Sequence, residues 1–181
     1  MSSKPHIVLG VTGSIAAYKA PELVRRLQDH DYCVSVMMTE SATRYVGPLT
    51  FQALTGSPVA FGPFEEGPAE AFQHIELIRN AQAMLIAPCT ANVMAKIAGG
   101  LADDIVTATV LARDVPLLLA PAMNVKMWEN PATQANLRLV LDRGITVIDV
   151  DEGDLACGEV GGGRLAAIEV IVDAVIDLGK D

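Results

Sequence analysis

The stretch HIVLGVTGSIAAYK, residues 6–19, opens with six largely apolar residues and then turns at Gly13 towards a helical pattern. An unbroken aliphatic run of this length is typical of a strand that is buried on both faces of a sheet. A glycine turn between such a strand and a helix points backbone N–H groups and the positive end of the helix at an anion. The stretch therefore predicts an α/β fold with an anion site after its first strand.

The same alternation of short apolar runs and longer amphipathic runs continues along the chain. It is typical of a parallel sheet whose strands are joined by helices. Four further strands are predicted, at residues 32–38, 83–88, 116–121 and 145–150. We therefore expect one domain over residues 1–181, a doubly wound parallel sheet of the Rossmann or flavodoxin-like kind with helices on both faces.

Proline and glycine divide the helical stretches. Pro21 is expected either to kink the first helix or to begin a second segment, and breaks are expected at Gly47-Pro48 and Gly99-Gly100. Residues 58–72 are rich in turn-forming residues and are predicted to be exposed. Residues 151–164 are predicted to form a glycine-rich loop before a closing helix.

The composition excludes several classes of function. Hydrophobic residues make up 51% of the chain and aromatic residues only 4%, so the core is predicted to be aliphatic. A formal charge of −9 argues against a nucleic-acid partner but leaves room for a phosphorylated small molecule bound by backbone N–H groups. No apolar run reaches the roughly 18–20 residues of a membrane helix, and the first residues do not resemble a secretory signal. We therefore expect a cytoplasmic protein without a membrane partner.

The chain has three cysteines, Cys33, Cys89 and Cys157, which are not arranged in a CxxC or Cys/His ligand pattern. This spacing disfavours a structural zinc site. An odd number of cysteines in a cytoplasmic chain favours free thiols over disulfides.

Small, hydroxyl and amide side chains follow the predicted strands. Because ligands bind beyond the carboxyl ends of parallel strands, we expect these residues to gather at one edge of the sheet. The residues just after the strands, most of them small, hydroxyl-bearing or amide-bearing, are Gly13, Ser14, Thr39, Glu40, Ser41, Cys89, Thr90, Ala91, Asn92, Ala122, Met123 and Asn124. The absence of a GxGxxG pattern favours a mononucleotide phosphate over a dinucleotide. The alternative interpretation is that Ser14, Thr90 and Asn92 are ordinary helix caps.

Other candidates also have two interpretations each. His74 is either a base that works near neutral pH or a solvated surface histidine. Met127 and Trp128 either line the site of an aromatic ligand or, in the case of Trp128, anchor the packing. His6 and His30 are interpreted as structural.

Five of the eleven residues from Gly153 to Gly163 are glycine. This composition predicts a mobile loop that closes over a substrate, excludes water and brings the thiol of Cys157 to it. Arg164 would then pair with a phosphate or a carboxylate. The alternative is a flexible connection with an incidental cysteine.

Five stretches together resemble the homo-oligomeric flavin-containing cysteine decarboxylases, and within that family the phosphopantothenoylcysteine decarboxylases. The resemblance runs from about residue 5 to residue 178 and is carried by GVTGSIAAYKAPELVRRL, HIEL, APCTANVMAKIAGGLADD, PAMNVKMWENPATQANL and ACGEVGGGR. It implies an FMN enzyme without a metal that decarboxylates 4′-phospho-N-pantothenoylcysteine to 4′-phosphopantetheine, a precursor of coenzyme A. In that chemistry the cysteinyl part is oxidised to a thioaldehyde, CO₂ is lost, and the resulting enethiolate takes back a hydride and a proton.

The resemblance also implies roles for individual residues. His74 corresponds to the active-site histidine of the oxidative half-reaction. Cys157, in a substrate clamp over residues 151–164, corresponds to the proton donor of the reductive half-reaction. Asn124 corresponds to the residue that holds the substrate carboxylate, and Ala122, Met123 and Arg164 lie in substrate-contacting segments. The implied FMN contacts are Gly13, Ser14, Ile15, Thr39, Ser41, Pro88, Thr90, Ala91, Asn92 and Met127.

Assembly and partners follow from the same resemblance. It implies a homotrimer, or a dodecamer built from trimers, with FMN between subunits. Many bacterial relatives continue into a synthetase domain, and this chain ends at Asp181. We therefore expect either a stand-alone decarboxylase or one domain of a bifunctional protein. Cys89 differs from the family pattern and is interpreted as a tolerated neighbour of the flavin site.

Four alternatives remain. A peptidyl-cysteine decarboxylase of peptide maturation is disfavoured by the Ala-Cys-Gly loop, which those enzymes lack. A flavin prenyltransferase lacks the matching histidine and clamp. A non-catalytic flavoprotein that regulates phosphatases typically carries an acidic tail, whereas this chain ends in GKD. An NAD enzyme lacks its glycine motif.

Overall fold

The computed structural model describes residues 4–62, 73–154 and 160–178. Within these residues the main sheet has six strands, which all run parallel to their neighbours. The strands are β1 (His6–Val11), β2 (Cys33–Met38), β3 (Ala60–Phe61), β4 (Ala83–Cys89), β5 (Leu117–Pro121) and β6 (Thr146–Val147). Their order across the sheet is β3-β2-β1-β4-β5-β6. The doubly wound parallel sheet predicted from the sequence is confirmed.

Helices connect the strands. They are α1 (Ala20–Asp29), α2 (Pro48–Thr55), α3 (Gln73–Ile78), α4 (Ala91–Gly99), α5 (Ile105–Ala112), α6 (Val125–Trp128), α7 (Pro131–Asp142) and α8 (Ile168–Asp177). Short 3-10 helices cover Ile15–Lys19 and Ala42–Arg44. Pro21 begins a second segment rather than kinking one helix, because it lies in the first turn of α1, where a missing N–H costs nothing.

Alternate residues of β1 face the two sides of the sheet. Leu9 belongs to a buried aliphatic cluster that contains residues of α1 and α8. Val8 belongs to a second cluster, on the opposite face, that contains residues of α4, α5 and α7. The sheet is therefore covered on both faces, which explains why its strands are apolar along their whole length.

The edge strands differ from the prediction. Of the strand predicted over residues 145–150, only Thr146 and Val147 form β6, which lies at the edge of the sheet and pairs with β5. Strand β3 occurs inside the stretch that was predicted to be turns. Its Ala60 is buried and its Phe61 is exposed. Residues 63–72 of that stretch lie outside the described residues.

The loop predicted over residues 151–164 is wrong at both ends. Strands β7 (Asp151–Asp154) and β8 (Val160–Arg164) pair as a separate antiparallel sheet. Residues 155–159 between them lie outside the described part of the chain, so the predicted mobility of the tip stays a prediction. Within the described residues, no helix is long and apolar enough to cross a bilayer.

Candidate functional site

Strands β1 and β4 are neighbours at the centre of the sheet, and they divide the strand order into two halves. A crevice forms beyond the carboxyl ends of such a pair, where doubly wound proteins bind ligands. Ser14 follows β1 and caps the first 3-10 helix, its hydroxyl accepting from the N–H of Ala16 at 3.3 Å. Thr90 follows β4 and caps α4, its hydroxyl accepting from the N–H of Val93 at 3.3 Å. The capping interpretation is therefore confirmed for Ser14 and Thr90 and is wrong for Asn92, which lies inside α4 because Thr90 is the cap. Both helix starts lie beyond the carboxyl ends of the two central strands.

Thr12 connects the two helix starts and was not singled out from the sequence. Its side chain is fully buried. Its hydroxyl donates to the carbonyl oxygen of Pro88 at 2.7 Å and accepts from the N–H of Thr90 at 3.0 Å. One threonine thus joins the ends of β1 and β4. A lone threonine between a strand and a glycine turn gives no signal of this role, because both partners lie far away in the sequence.

The loop after β2 contacts the turn after β1. A Cβ added to Gly13 would collide with the Ser41 side chain and would lie 3.1 Å from the Ser41 carbonyl carbon. Glycine is therefore required here by the close approach of the two loops. The hydroxyls of Thr39 and Ser41 are 3.1 Å apart, with Thr39 buried and Ser41 exposed. Both hydroxyls thus lie beside the turn that leads to Ser14.

The segment after β5 lies next to the end of β4, on the side away from β1. The N–H of Ala122 donates to the carbonyl oxygen of Cys89 at 3.0 Å. Asn124 is half-buried and caps α6, its Oδ1 accepting from the N–H of Lys126 at 2.8 Å. Because Oδ1 is the acceptor in the cap, the amide NH₂ is the end of Asn124 with donors suited to a carboxylate. The turn residues after β2, β1, β4 and β5 are therefore linked in one contiguous row, which we call the strand-end row.

Strand β8 lies against α6 and against the segment before it. The N–H of Met123 donates to the carbonyl oxygen of Gly163 at 2.8 Å. A Cβ added to Gly161 would lie 2.7 Å from Val125 Cγ2, and one added to Gly163 would lie 2.6 Å from the Met123 carbonyl oxygen. The glycines are explained here by close backbone packing. Trp128 is half-buried among the residues of this contact and the second core cluster, which supports its interpretation as a packing anchor.

The remaining predicted site residues are placed as follows. Pro88 is in β4, Ala91 and Asn92 are in the first turn of α4, and Ile15 and Met127 are 56% and 48% exposed. Arg164 is exposed at the end of β8, and a Cβ on Gly153 would lie 3.2 Å from its guanidinium. His74 lies in α3, but its side chain is outside the described part of the structure. Cys157 lies outside the described residues altogether.

Cys89 is fully buried at the end of β4. Burial raises the pKa of its thiol to about 12, so the thiolate that a nucleophile requires does not form near neutral pH. The thiol points to the carbonyl oxygen of Thr90 at 3.8 Å. Cys89 is therefore a packing residue beneath the strand-end row, in agreement with its interpretation as a tolerated neighbour.

A cavity of about 340 Å³ lies at the other end of the strands, away from the strand-end row. Residues at the starts of β1 and β2 line it, among them His6, Cys33 and Ser35. Nε2 of His6 lies 2.9 Å from the Ser35 hydroxyl, and burial lowers the pKa of His6. These contacts support the interpretation of His6 as structural.

Comparison with known proteins gives a consistent result. A family model described as Flavoprotein matches residues 1–179. The chain is 43% identical over 171 residues to a probable phosphopantothenoylcysteine decarboxylase of Streptococcus mutans, an alignment that covers 93% of this chain and 96% of the relative. It is 44% identical over 170 residues to the coenzyme A biosynthesis bifunctional protein CoaBC of Escherichia coli K12, covering 94% of this chain. The chain spans only 42% of that bifunctional relative.

Solved structures share the fold over almost the whole chain. A PPC decarboxylase mutant complexed with pantothenoylaminoethenethiol superimposes with a TM-score of 0.86 at 32% identity, covering 98% of this chain and 100% of the other. The FMN binding protein AtHal3 superimposes with a TM-score of 0.82 at 33% identity, covering 98% and 97%.

Proposed function

The chain belongs to the Flavoprotein family, and from this premise we propose that it binds FMN and decarboxylates 4′-phospho-N-pantothenoylcysteine to 4′-phosphopantetheine in coenzyme A biosynthesis. The identity to the probable decarboxylase of Streptococcus mutans, which is matched over 96% of its length, supports the choice of reaction. The observation that carries the proposal is the strand-end row, because it joins the segments implied in cofactor binding to the segment implied in substrate binding.

The residues of the strand-end row fit FMN. Two helix starts that meet at one crevice provide backbone N–H groups and positive helix ends for its phosphate. This arrangement needs no cluster of basic residues, which is consistent with a chain of net charge −9. Gly13 has no side chain, and the hydroxyls of Thr39 and Ser41 lie beside the turn that it forms. Ser14, Thr90 and their neighbours would hold the cofactor, which when bound supplies hydride acceptance and return.

The substrate would be held by the segment after β5. The amide of Asn124 donates to the cysteinyl carboxylate, and the cap formed by its Oδ1 fixes the orientation of the amide plane. Ala122 and Met123 place Asn124 by bonding their N–H groups to Cys89 and Gly163. Holding the carboxylate in one orientation favours its loss as CO₂.

The proton steps are assigned to two residues. The imidazole of His74 accepts a proton during substrate oxidation, and the thiol of Cys157 donates one to the enethiolate carbon. The hairpin of β7 and β8, seated on α6, carries Cys157 and excludes water from the reactive enethiolate. Arg164, at the end of β8, pairs with an anionic group of the substrate.

The proposal includes self-association into a homotrimer, or a dodecamer of trimers, with FMN at the subunit contacts. Ile15 and Tyr18 are 56% and 63% exposed in the helical segment that follows the Gly13 turn. Apolar side chains beside a cofactor site are consistent with cover from a second copy. Light scattering of the purified protein measures the molar mass, and a monomer that keeps its flavin would contradict this part of the proposal.

The reaction is tested with purified protein and 4′-phospho-N-pantothenoylcysteine. We expect a flavin absorbance spectrum and a product whose mass is lower than that of the substrate by one CO₂. Cys157→Ser should accumulate a product lower by CO₂ and two hydrogens, because the enethiolate is not protonated. Wild-type protein that releases only this oxidised product would favour the peptidyl-cysteine decarboxylase type of chemistry. A colourless protein that takes up no FMN would overturn the proposal.

A further inference from the structure

The carbonyl group of Pro88 and the N–H group of Thr90 lie at the end of β4, beside a shift in the pairing of β4 with β5. Strand β4 pairs regularly with β5 as far as Ile86, and the register then shifts before Cys89. Pro88 lies within this irregularity and has no N–H to donate. The N–H of Thr90 precedes α4, where no helical carbonyl accepts from it. Both backbone groups need a partner from elsewhere in the fold.

The hydroxyl of Thr12 is that partner for both groups. It donates to the Pro88 carbonyl oxygen at 2.7 Å and accepts from the Thr90 N–H at 3.0 Å. Thr12 has no exposed surface, so water does not replace either bond when the hydroxyl is removed. The two bonds cross from the first half of the sheet to the second half.

We infer that Thr12 is a positioning residue for FMN, an inference that rests on the proposed function. Thr12 is bonded covalently to Gly13, at the start of one proposed cofactor-binding segment. It is hydrogen-bonded to Pro88 and Thr90, on either side of Cys89, at the start of the other. Its hydroxyl fixes the spacing between the helix starts after β1 and β4. Removal of the hydroxyl lets the two starts separate, and the N–H groups that hold the phosphate no longer converge.

The test measures the FMN dissociation constant of the full-length protein by equilibrium dialysis. Thr12→Val keeps the shape of the side chain and removes both bonds, and it is expected to weaken FMN binding about tenfold. Thr12→Ser keeps the hydroxyl and is expected to bind FMN within about twofold of wild type.

A matched control separates positioning from general stability. Thr109 is also fully buried, and its hydroxyl donates to the Ile105 carbonyl oxygen at 2.7 Å within α5. Thr109→Val loses one buried hydrogen bond and should lower the thermal midpoint without changing FMN affinity.

Three outcomes would overturn the inference alone: Thr12→Val binds FMN as tightly as wild type, Thr109→Val weakens FMN binding as much, or Thr12→Ser binds about tenfold more weakly. The FMN affinity of Thr12→Ser relative to wild type tests the inference even where Thr12→Val does not fold. Wild-type protein that fails to bind FMN would instead overturn the proposed function, and the inference with it.

Discussion

At the scale of single residues, the two cysteines that the structure describes have opposite environments. Cys33 is exposed at the start of β2, whereas Cys89 is fully buried and its pKa is raised to about 12. Alkylation requires both access and a thiolate. We predict that iodoacetamide at about pH 8 modifies Cys33 in the native protein and leaves Cys89 unmodified until denaturant is added. Peptide mass spectrometry measures both sites, and native modification of Cys89 at the rate of Cys33 would contradict the burial described.

Asn124 offers a second test at this scale, because Asn124→Asp keeps the oxygen that caps α6 and adds a negative charge. The substrate carboxylate is then repelled, and we predict that kcat/KM falls at least about tenfold while the thermal midpoint is unchanged. Asn130→Asp is the matched control, since Asn130 caps α7 in the same way, accepting from the N–H of Ala132 at 2.9 Å. Equal losses of activity in both variants would argue against a substrate contact at Asn124.

At the scale of elements, the contact between β8 and α6 depends on glycine at position 163. Its φ is +114°, and a Cβ there would lie 2.6 Å from a backbone oxygen, which has no rotamer through which to move aside. We predict that Gly163→Ala lowers the free energy of unfolding by more than about 1 kcal/mol. Urea unfolding measures the loss.

Gly47→Ala is the control for this element. Gly47 has an ordinary φ of −69°, and a Cβ there would meet nothing within 4 Å. Its stability should match that of wild type to within about 0.5 kcal/mol. A Gly163→Ala protein as stable as Gly47→Ala would mean that β8 is not held against α6.

The elements also show what the sequence could predict. The bounds of β1 were predicted correctly because the apolar run ends at a clear glycine turn. Strands β7 and β8 were missed because a glycine-rich composition indicates a loop, whereas here the glycines permit contact with α6. That contact is a tertiary property, which local propensity does not encode.

The same limit applies to the site. The residues of the strand-end row were predicted, since the ends of parallel strands meet at one edge. Thr12 was missed because its hydrogen-bond partners lie 76 and 78 residues along the chain. No local pattern reports such a separation.

At the scale of the whole molecule, the proposed FMN site lies beyond the ends of β1 and β4, where the two halves of the sheet meet, so FMN bound there would stabilise the complete fold. We predict that a hundredfold excess of FMN over its dissociation constant stabilises the protein by about 2.7 kcal/mol. Riboflavin at the same concentration should stabilise it less, because it lacks the phosphate that the helix starts bind. Thermal unfolding with each ligand measures the difference, and equal shifts would contradict a phosphate site at these helix starts.

The hydrogen bond between the Met123 N–H and the Gly163 carbonyl oxygen links β8 to the segment that we propose binds the substrate. Asn124 follows Met123 directly, and Gly163 belongs to β8. Strand β8 is therefore connected to Asn124 by this hydrogen bond and the peptide bond after Met123. Under the proposed function, one backbone hydrogen bond thus couples the position of β8 to the orientation of the residue that would hold the substrate carboxylate.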